Sequence, residues 1–149
     1  MRHAAAPDNS ARLVGFATRA YRSELARRFA AAGLPVTAEQ WPLLLLVQAE
    51  PGLTQAELAA RLMREKTVVS RLAAALEDRG LLTRRADPAD ARLRRLRTTP
   101  TGEALMPALW REAQAVLDLA ETGIAPTDLD AMRRVLKRIA ANLASEGMR

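Results

Sequence analysis

Between Arg12 and Ala32 apolar residues recur at steps of three and four, at Leu13, Phe16, Ala17, Ala20, Tyr21, Leu25 and Phe29, and Gly33 follows. That spacing gathers them on one face of a helix, and the glycine marks its stop. Thr37-Ala-Glu-Gln40 then reads as a capping box, in which the Thr hydroxyl and the Gln side chain satisfy each other's free backbone N–H groups. Trp41 and the aliphatic run Leu43 to Val47 predict a buried second helix that ends at Glu50-Pro51-Gly52. Pro42 lacks the N–H that a helix interior uses, so the first turn of this helix is expected to be distorted.

A second capping box, Thr54-Gln-Ala-Glu57, opens a short helix through Leu58 and Leu62. After a turn at Met63 to Glu65, another helix runs from about Glu65 to Arg79 and is closed by Gly80. Two short helices joined this tightly make a helix-turn-helix pattern. In the second of them Val69, Leu72, Ala73 and Leu76 form the apolar stripe, while Thr67, Ser70, Arg71 and Ala74 line the opposite face beside Lys66. Small side chains with a few long cations suit a helix whose backbone must approach base edges.

Leu81 to Arg85 and Leu93 to Thr98 are strand-length segments around the turn-rich stretch Ala86 to Arg92. In the second, Leu96 and Thr98 are expected to face the body, and Arg95 and Arg97 to face water. The hairpin carries Arg84, Arg85, Arg92, Arg94, Arg95 and Arg97. Marginal by itself, it becomes a wing when packed on the preceding helices. Thr99 and Pro100 read as an N-cap and first helical position of a long helix running towards Thr122, with a bend expected at Pro107. Gly123 ends it, Thr127 is read as the cap of the last helix, and Leu129, Met132, Leu136, Ile139, Ala140 and Leu143 give that helix an apolar stripe.

Charge adds a partner to this outline. From Arg61 to Arg97 there are 11 Lys/Arg and 5 Asp/Glu, a surplus equal to the net +6 of the whole 149-residue chain. A basic segment that spans a helix and a short hairpin has the footprint of a polyanion-binding face, with double-stranded DNA as the leading partner. The absence of cysteine excludes disulfides and thiolate metal sites, and His3 is the only histidine. No zinc cluster, cofactor or nucleophilic constellation can be assembled from these residues, so the chain is not read as an enzyme. The longest aliphatic run is five residues, Leu43 to Val47, against the roughly 20 of a membrane span. Together with the polar start Met1 to Ser10, read as a disordered tail, this predicts a cytoplasmic protein without a membrane partner.

These residues, in this order, resemble the MarR family of winged helix-turn-helix regulators over roughly Leu13 to Leu143. The most specific stretch is Asp87-Pro-Ala-Asp90-Ala-Arg92 followed by Leu96-Arg-Thr98-Thr99-Pro-Thr-Gly102, which is similar to the family's wing. Thr54-Gln-Ala-Glu-Leu-Ala, Thr67-Val-Val-Ser70-Arg71-Leu and Leu76-Glu-Asp-Arg-Gly80-Leu-Leu are similar to its helix-turn-helix segments. Thr98 and Pro42 depart from it, standing where an aliphatic residue is commoner.

The resemblance implies a mainly α (α+β) fold with a two- or three-stranded antiparallel wing. In that scheme residues 1–149 form one domain, residues 37–99 the DNA-binding part, and residues 11–33 and 100–146 the dimerisation helices. It implies that Thr67, Ser70 and Arg71 lie in the major groove, with Lys66 near phosphate and Thr54 and Gln55 on the backbone. Arg92 would reach the minor groove, held by Asp90, with Arg94 beside it on the wing. It further implies a homodimer on a pseudo-palindromic operator, acting as a repressor that a small aromatic or anionic effector releases. Arg19, Tyr21, Trp41 and Trp110, with Arg22 nearby, are the residues it suggests for an effector pocket; the same aromatics also read as core. Two other readings stay open, a helical interaction module whose Arg-rich hairpin binds an acidic protein and an RNA-binding winged helix; for a third, a carboxylate-based hydrolase, no constellation exists here. The low aromatic content of 3% speaks against the second.

Overall fold

The computed structural model describes residues 9–146, so the expected tail at 1–10 and His3 lie almost wholly outside the described residues. Six helices and two strands follow in the order α1 (Ser10–Ala31), α2 (Trp41–Ala49), α3 (Gln55–Leu62), α4 (Lys66–Asp78), β1 (Leu82–Ala86), β2 (Arg94–Thr98), α5 (Pro100–Ala120) and α6 (Pro126–Glu146). This is the mainly α, winged arrangement that the sequence pattern predicts. Among the described residues no helix is long and apolar enough to cross a membrane. The chain divides into two compact units, one up to Val116 and one from Leu117 on. The boundary falls inside α5.

In the first unit the core is built from Phe29, Val36, Trp41, Leu43, Leu44, Val47, Leu58, Val69, Leu72, Leu76, Leu81, Leu82, Leu96 and Leu109. Every one is less than a tenth exposed. The capping box at Thr37 and Gln40 forms, with Thr37 N donating to Gln40 Oε1 at 3.0 Å and Gln40 N to Thr37 Oγ1 at 3.1 Å. Pro42 shifts the outcome: residues 38–40 remain a separate turn and the regular helix starts at Trp41. Arg28 joins α1 to α5 through Glu112 at 3.6 Å, and also bonds Glu24 at 3.0 Å. Arg27 is the main cause of a Glu24 carboxyl held at about 2.

Helices α1, α3 and α4 end alike, the first and last of them on a left-handed glycine. At the end of α4, Gly80 takes φ +71, so that Leu81 N bonds Leu76 O at 2.9 Å and Gly80 N bonds Glu77 O at 2.8 Å. That pair of bonds is the Schellman closure, which requires a left-handed residue. The end of α3 makes the same closure, Arg64 N to Ala59 O at 2.9 Å and Met63 N to Ala60 O at 3.2 Å, but with methionine in the left-handed position at φ 50.

The sheet pairs Leu82 with Thr98, Arg84 with Leu96 and Ala86 with Arg94 in antiparallel register. On its other edge β2 meets residues 52–54, with Leu96 N donating to Leu53 O and Gly52 N to Leu96 O, each at 2.9 Å, and a bridge between Thr54 and Arg95. Thr99 caps α5 through Gly102 N at 3.0 Å. Helix α5 passes through Pro107 without interruption.

In the second unit, α6 begins two residues earlier than predicted. Thr127 lies inside it, and Ala125 O takes the N–H groups of Asp128 and Leu129 at 3.0 and 3.1 Å. Proline at a first helical position brings a preset φ and no N–H to satisfy, and here it outweighs the Thr hydroxyl as a start signal. Of the α6 stripe, Leu129 is buried, whereas Met132, Leu136 and Leu143 are exposed at 42%, 39% and 68%.

Candidate nucleic-acid interface

Helix α4 buries Val69, Leu72, Ala73 and Leu76, as its spacing predicts. Lys66, Thr67 and Arg71 are exposed on the other side, and Ser70 and Ala74 are half-buried. Ser70 is shielded because Arg84 of β1 reaches over it, donating from Nη2 to Ser70 O at 3.4 Å while its Nε pairs with Glu77 at 2.6 Å. One half-buried guanidinium therefore fastens the wing to the outer helix. Of the six arginines counted on the hairpin, Arg84 is thus a structural cation.

At the start of α3, Thr54 and Glu57 form a reciprocal capping box, with Thr54 N to Glu57 Oε2 at 2.7 Å and Glu57 N to Thr54 Oγ1 at 3.3 Å. The Thr54 N–H, and next its hydroxyl, hold the Glu57 carboxyl below its ordinary range. Gln55, the first helical residue, is half-buried. The Thr54–Arg95 bridge places this helix end directly against β2.

Arg95 differs from expectation. Its alternation puts it on the outer side of β2, yet it pairs with Asp87 and donates from Nη1 to Gly52 O at 2.8 Å. The reason lies in the loop, where Asp87 also accepts from Ala89 N at 2.7 Å and Asp90 N at 3.0 Å. Arg95 foremost, and then those two N–H groups, lower the Asp87 carboxyl. The pair also offsets the like charges of Arg85 and Arg95, which stand opposite each other in the sheet. At the tip, Arg92 donates its N and Nε to Asp90 Oδ1, both at 3.1 Å, with its side chain 91% exposed. Arg97 is exposed, as predicted, and Arg94 is exposed too, although alternation sets it on the side of Leu96.

The basic segment thus sorts into two groups. Arg61 pairs with Glu50, Arg64 and Arg71 share Glu39, Arg84 takes Glu77, Arg92 takes Asp90 and Arg95 takes Asp87. Arg79 donates to Pro35 O at 2.7 Å and Gln40 Oε1 at 3.4 Å. Lys66, Arg85, Arg94 and Arg97 form no such pair among the described residues. The sequence pattern did not point to Glu39, Glu77 or Asp87 as anchors, because their partners are set by tertiary packing.

The aromatic candidates separate as well. Trp41 is buried and packs edge to face on Phe29 (centroids 6.0 Å apart) and Trp110 (5.5 Å). Trp110 is 45% exposed, Tyr21 is half-buried and Arg19 is exposed. Arg22 lines a small cleft of about 130 Å³ with Glu39, Pro42, Leu43, Leu62, Arg64 and Leu72.

Residues 32–93 match the model of the MarR family. A relative in Bacillus subtilis (strain 168), an uncharacterized HTH-type transcriptional regulator called YybA, is 25% identical over 110 residues, covering 74% of this chain and 73% of that protein. The crystal structure of the transcriptional regulator SlyA superposes with a TM-score of 0.85 at 24% identity, over 93% of this chain and 96% of that one. A MarR-family regulator from Listeria monocytogenes, solved in complex with a 26mer DNA, gives 0.84 at 23% identity, over 93% and 91%. These relatives are transcriptional regulators rather than enzymes. With the winged helix-turn-helix now described, residues 32–93 are similar to the MarR family, and the chain shares the fold of these regulators.

Proposed function

We propose that this protein is a sequence-specific regulator that binds double-stranded DNA as a homodimer and represses transcription in the cytoplasm. The observation that carries this reading is the joining of two cationic elements: Arg84 ties β1 to α4, so exposed Lys66 and Arg71 share one unit with the exposed wing cations Arg85, Arg92, Arg94 and Arg97. The DNA-bound Listeria relative has the same fold. Residues 37–99 form the DNA-binding part. Thr67, Ser70 and Arg71 face base edges in the major groove, and Lys66 and Arg94 face phosphate. Thr54 and Gln55 present a helix N-terminus to the backbone, where partial positive charge favours an anion. Arg92, braced by Asp90, enters the minor groove.

Dimerisation through 11–33 and 100–146 is supported by apolar side chains that a lone chain leaves in water. On α1 these are Leu13, Val14 and Phe16, exposed at 51%, 41% and 67%; on α6 they include Met132, Val135, Leu136 and Leu143. Twofold pairing then reads a pseudo-palindrome with half-sites roughly 34 Å apart. A small aromatic or anionic effector that prefers the conformation unable to span both half-sites releases the repressor.

The test is titration of a 26-base-pair duplex carrying an inverted repeat from the gene's own upstream region, at several salt concentrations. Replacing Arg92 by Ala lowers the log–log salt slope by about 0.9 for each phosphate that is no longer neutralised. An unchanged slope would refute the role given to the wing tip, and a chain that stays monomeric would refute the assembly.

A further inference from the structure

Glu39 stands outside both helices of the helix-turn-helix, in the turn before α2, yet one of its oxygens holds two of the cations just described. Arg64 Nη2 donates to Glu39 Oε1 at 2.8 Å and Arg71 Nη2 to the same oxygen at 3.3 Å. The side chains are exposed by 31% at Arg64, 38% at Glu39 and 63% at Arg71. Arg64, in the turn between α3 and α4, anchors the carboxylate; the carboxylate in turn steadies a guanidinium that is mostly in solvent. We infer that Glu39 is a specificity-determining residue of the interface, a brace that makes Arg71 a reader of base edges rather than a generic phosphate ligand. The inference rests on the DNA-binding reading above.

A guanidinium carries five N–H donors in a planar fork. With one Nη2 hydrogen committed to Glu39, the rest of the fork is held in a fixed orientation with donors to spare, and the side chain has already given up rotational freedom that binding would otherwise take. The carboxylate also cancels much of the positive charge at Arg71. Attraction to phosphate depends on that net charge, so it weakens. The paired donors needed for the O6 and N7 acceptors of guanine depend on direction and survive. Lys66, which has no such brace among the described residues, keeps its full charge five residues away. The two long cations on the outer side of α4 are thereby divided, one for charge and one for geometry.

The experiment is a selection from a duplex library with a randomised core, run at one fixed salt concentration with the wild type, Glu39→Gln, Arg71→Ala and the double variant. Affinity for the unselected pool is measured alongside, and thermal unfolding verifies that each variant is folded. Glutamine keeps the shape and the acceptor of Glu39 but removes its charge. The wild type should enrich guanine at one position in each half-site. Glu39→Gln should reduce that preference roughly tenfold while tightening binding to the unselected pool, and neither change should appear when Arg71 is already alanine. Equal enrichment by wild type and Glu39→Gln overturns the inference, as does a Glu39→Gln effect that persists in the Arg71→Ala background. A wild type that binds the pool but enriches no sequence overturns it too, whereas failure to bind any duplex removes the DNA-binding reading itself.

Discussion

Replacing Gly102 by alanine gives a prediction whose sign runs against helix propensity. Gly102 lies in the first turn of α5, where alanine would ordinarily gain up to about 1 kcal/mol over glycine. Here a Cβ would stand 2.3 Å from Leu81 O and 3.2 Å from Leu81 C. Neither atom can move aside cheaply. Leu81 is only 1% exposed, its carbonyl accepts Thr99 N at 3.1 Å, and its N–H closes α4 through Leu76. Restoring van der Waals distance requires a shift of about an ångström between the start of α5 and the segment that leads into β1. Overpacking of this kind costs about 1–3 kcal/mol, or more where the obstacle is backbone. At the upper end, and with about 2–4 °C per kcal/mol for a chain of this size, Tm falls by roughly 6–12 °C. Thermal unfolding followed by circular dichroism reads the effect directly. A Gly102→Ala protein with unchanged or raised Tm would refute the close approach of α5 to Leu81.

Two further outcomes follow from other positions. Met63 is 67% exposed and left-handed, so Met63→Gly should stabilise the fold by about 0.5–1 kcal/mol through relief of backbone strain, read as a higher urea midpoint with an unchanged slope; a lower midpoint would contradict it. The Asp87 carboxyl is held below its ordinary 3.8, chiefly by Arg95. Because the folded value is the lower one, its contribution is complete above 3.8 and disappears as pH falls through the folded value. The stability gap between wild type and Asp87→Asn should therefore narrow under acid, and a gap independent of pH would count against this pairing.

Much of the fold was legible because its signals are local. Periodicity, two capping boxes and the glycine stops placed five of the six helices to within a residue or two, and Pro42 announced the broken turn ahead of α2. Thr127 misled because a cap and a proline start compete within two residues. The exposed side of α4, Lys66, Thr67 and Arg71, was also readable, since helical spacing fixes which side is outward, and Arg92 and Arg94 came from the resemblance of the wing. What could not be read was which cations carry structural duty. Arg84 and Arg85 point to opposite faces of β1, but only the position of Glu77 shows that Arg84 is tied down. Arg95 is tied down by a loop aspartate eight residues earlier, and Arg71 by a glutamate 32 residues away. Spacing rules within one helix or strand contain no information about such partners.

The strand β2 has neighbours on both edges, β1 on one and residues 52–54 on the other. It is the inner member of its small sheet, and a slip of one position would eject Leu96 from the core and break two sets of ladder bonds at once. The loop from Asp87 to Leu93 closes on itself through its own carboxylates and backbone. Length changes are therefore absorbed at the tip and rejected at the root. Residues inserted at the tip leave both edges of β2 paired, whereas residues inserted at the root unpair them.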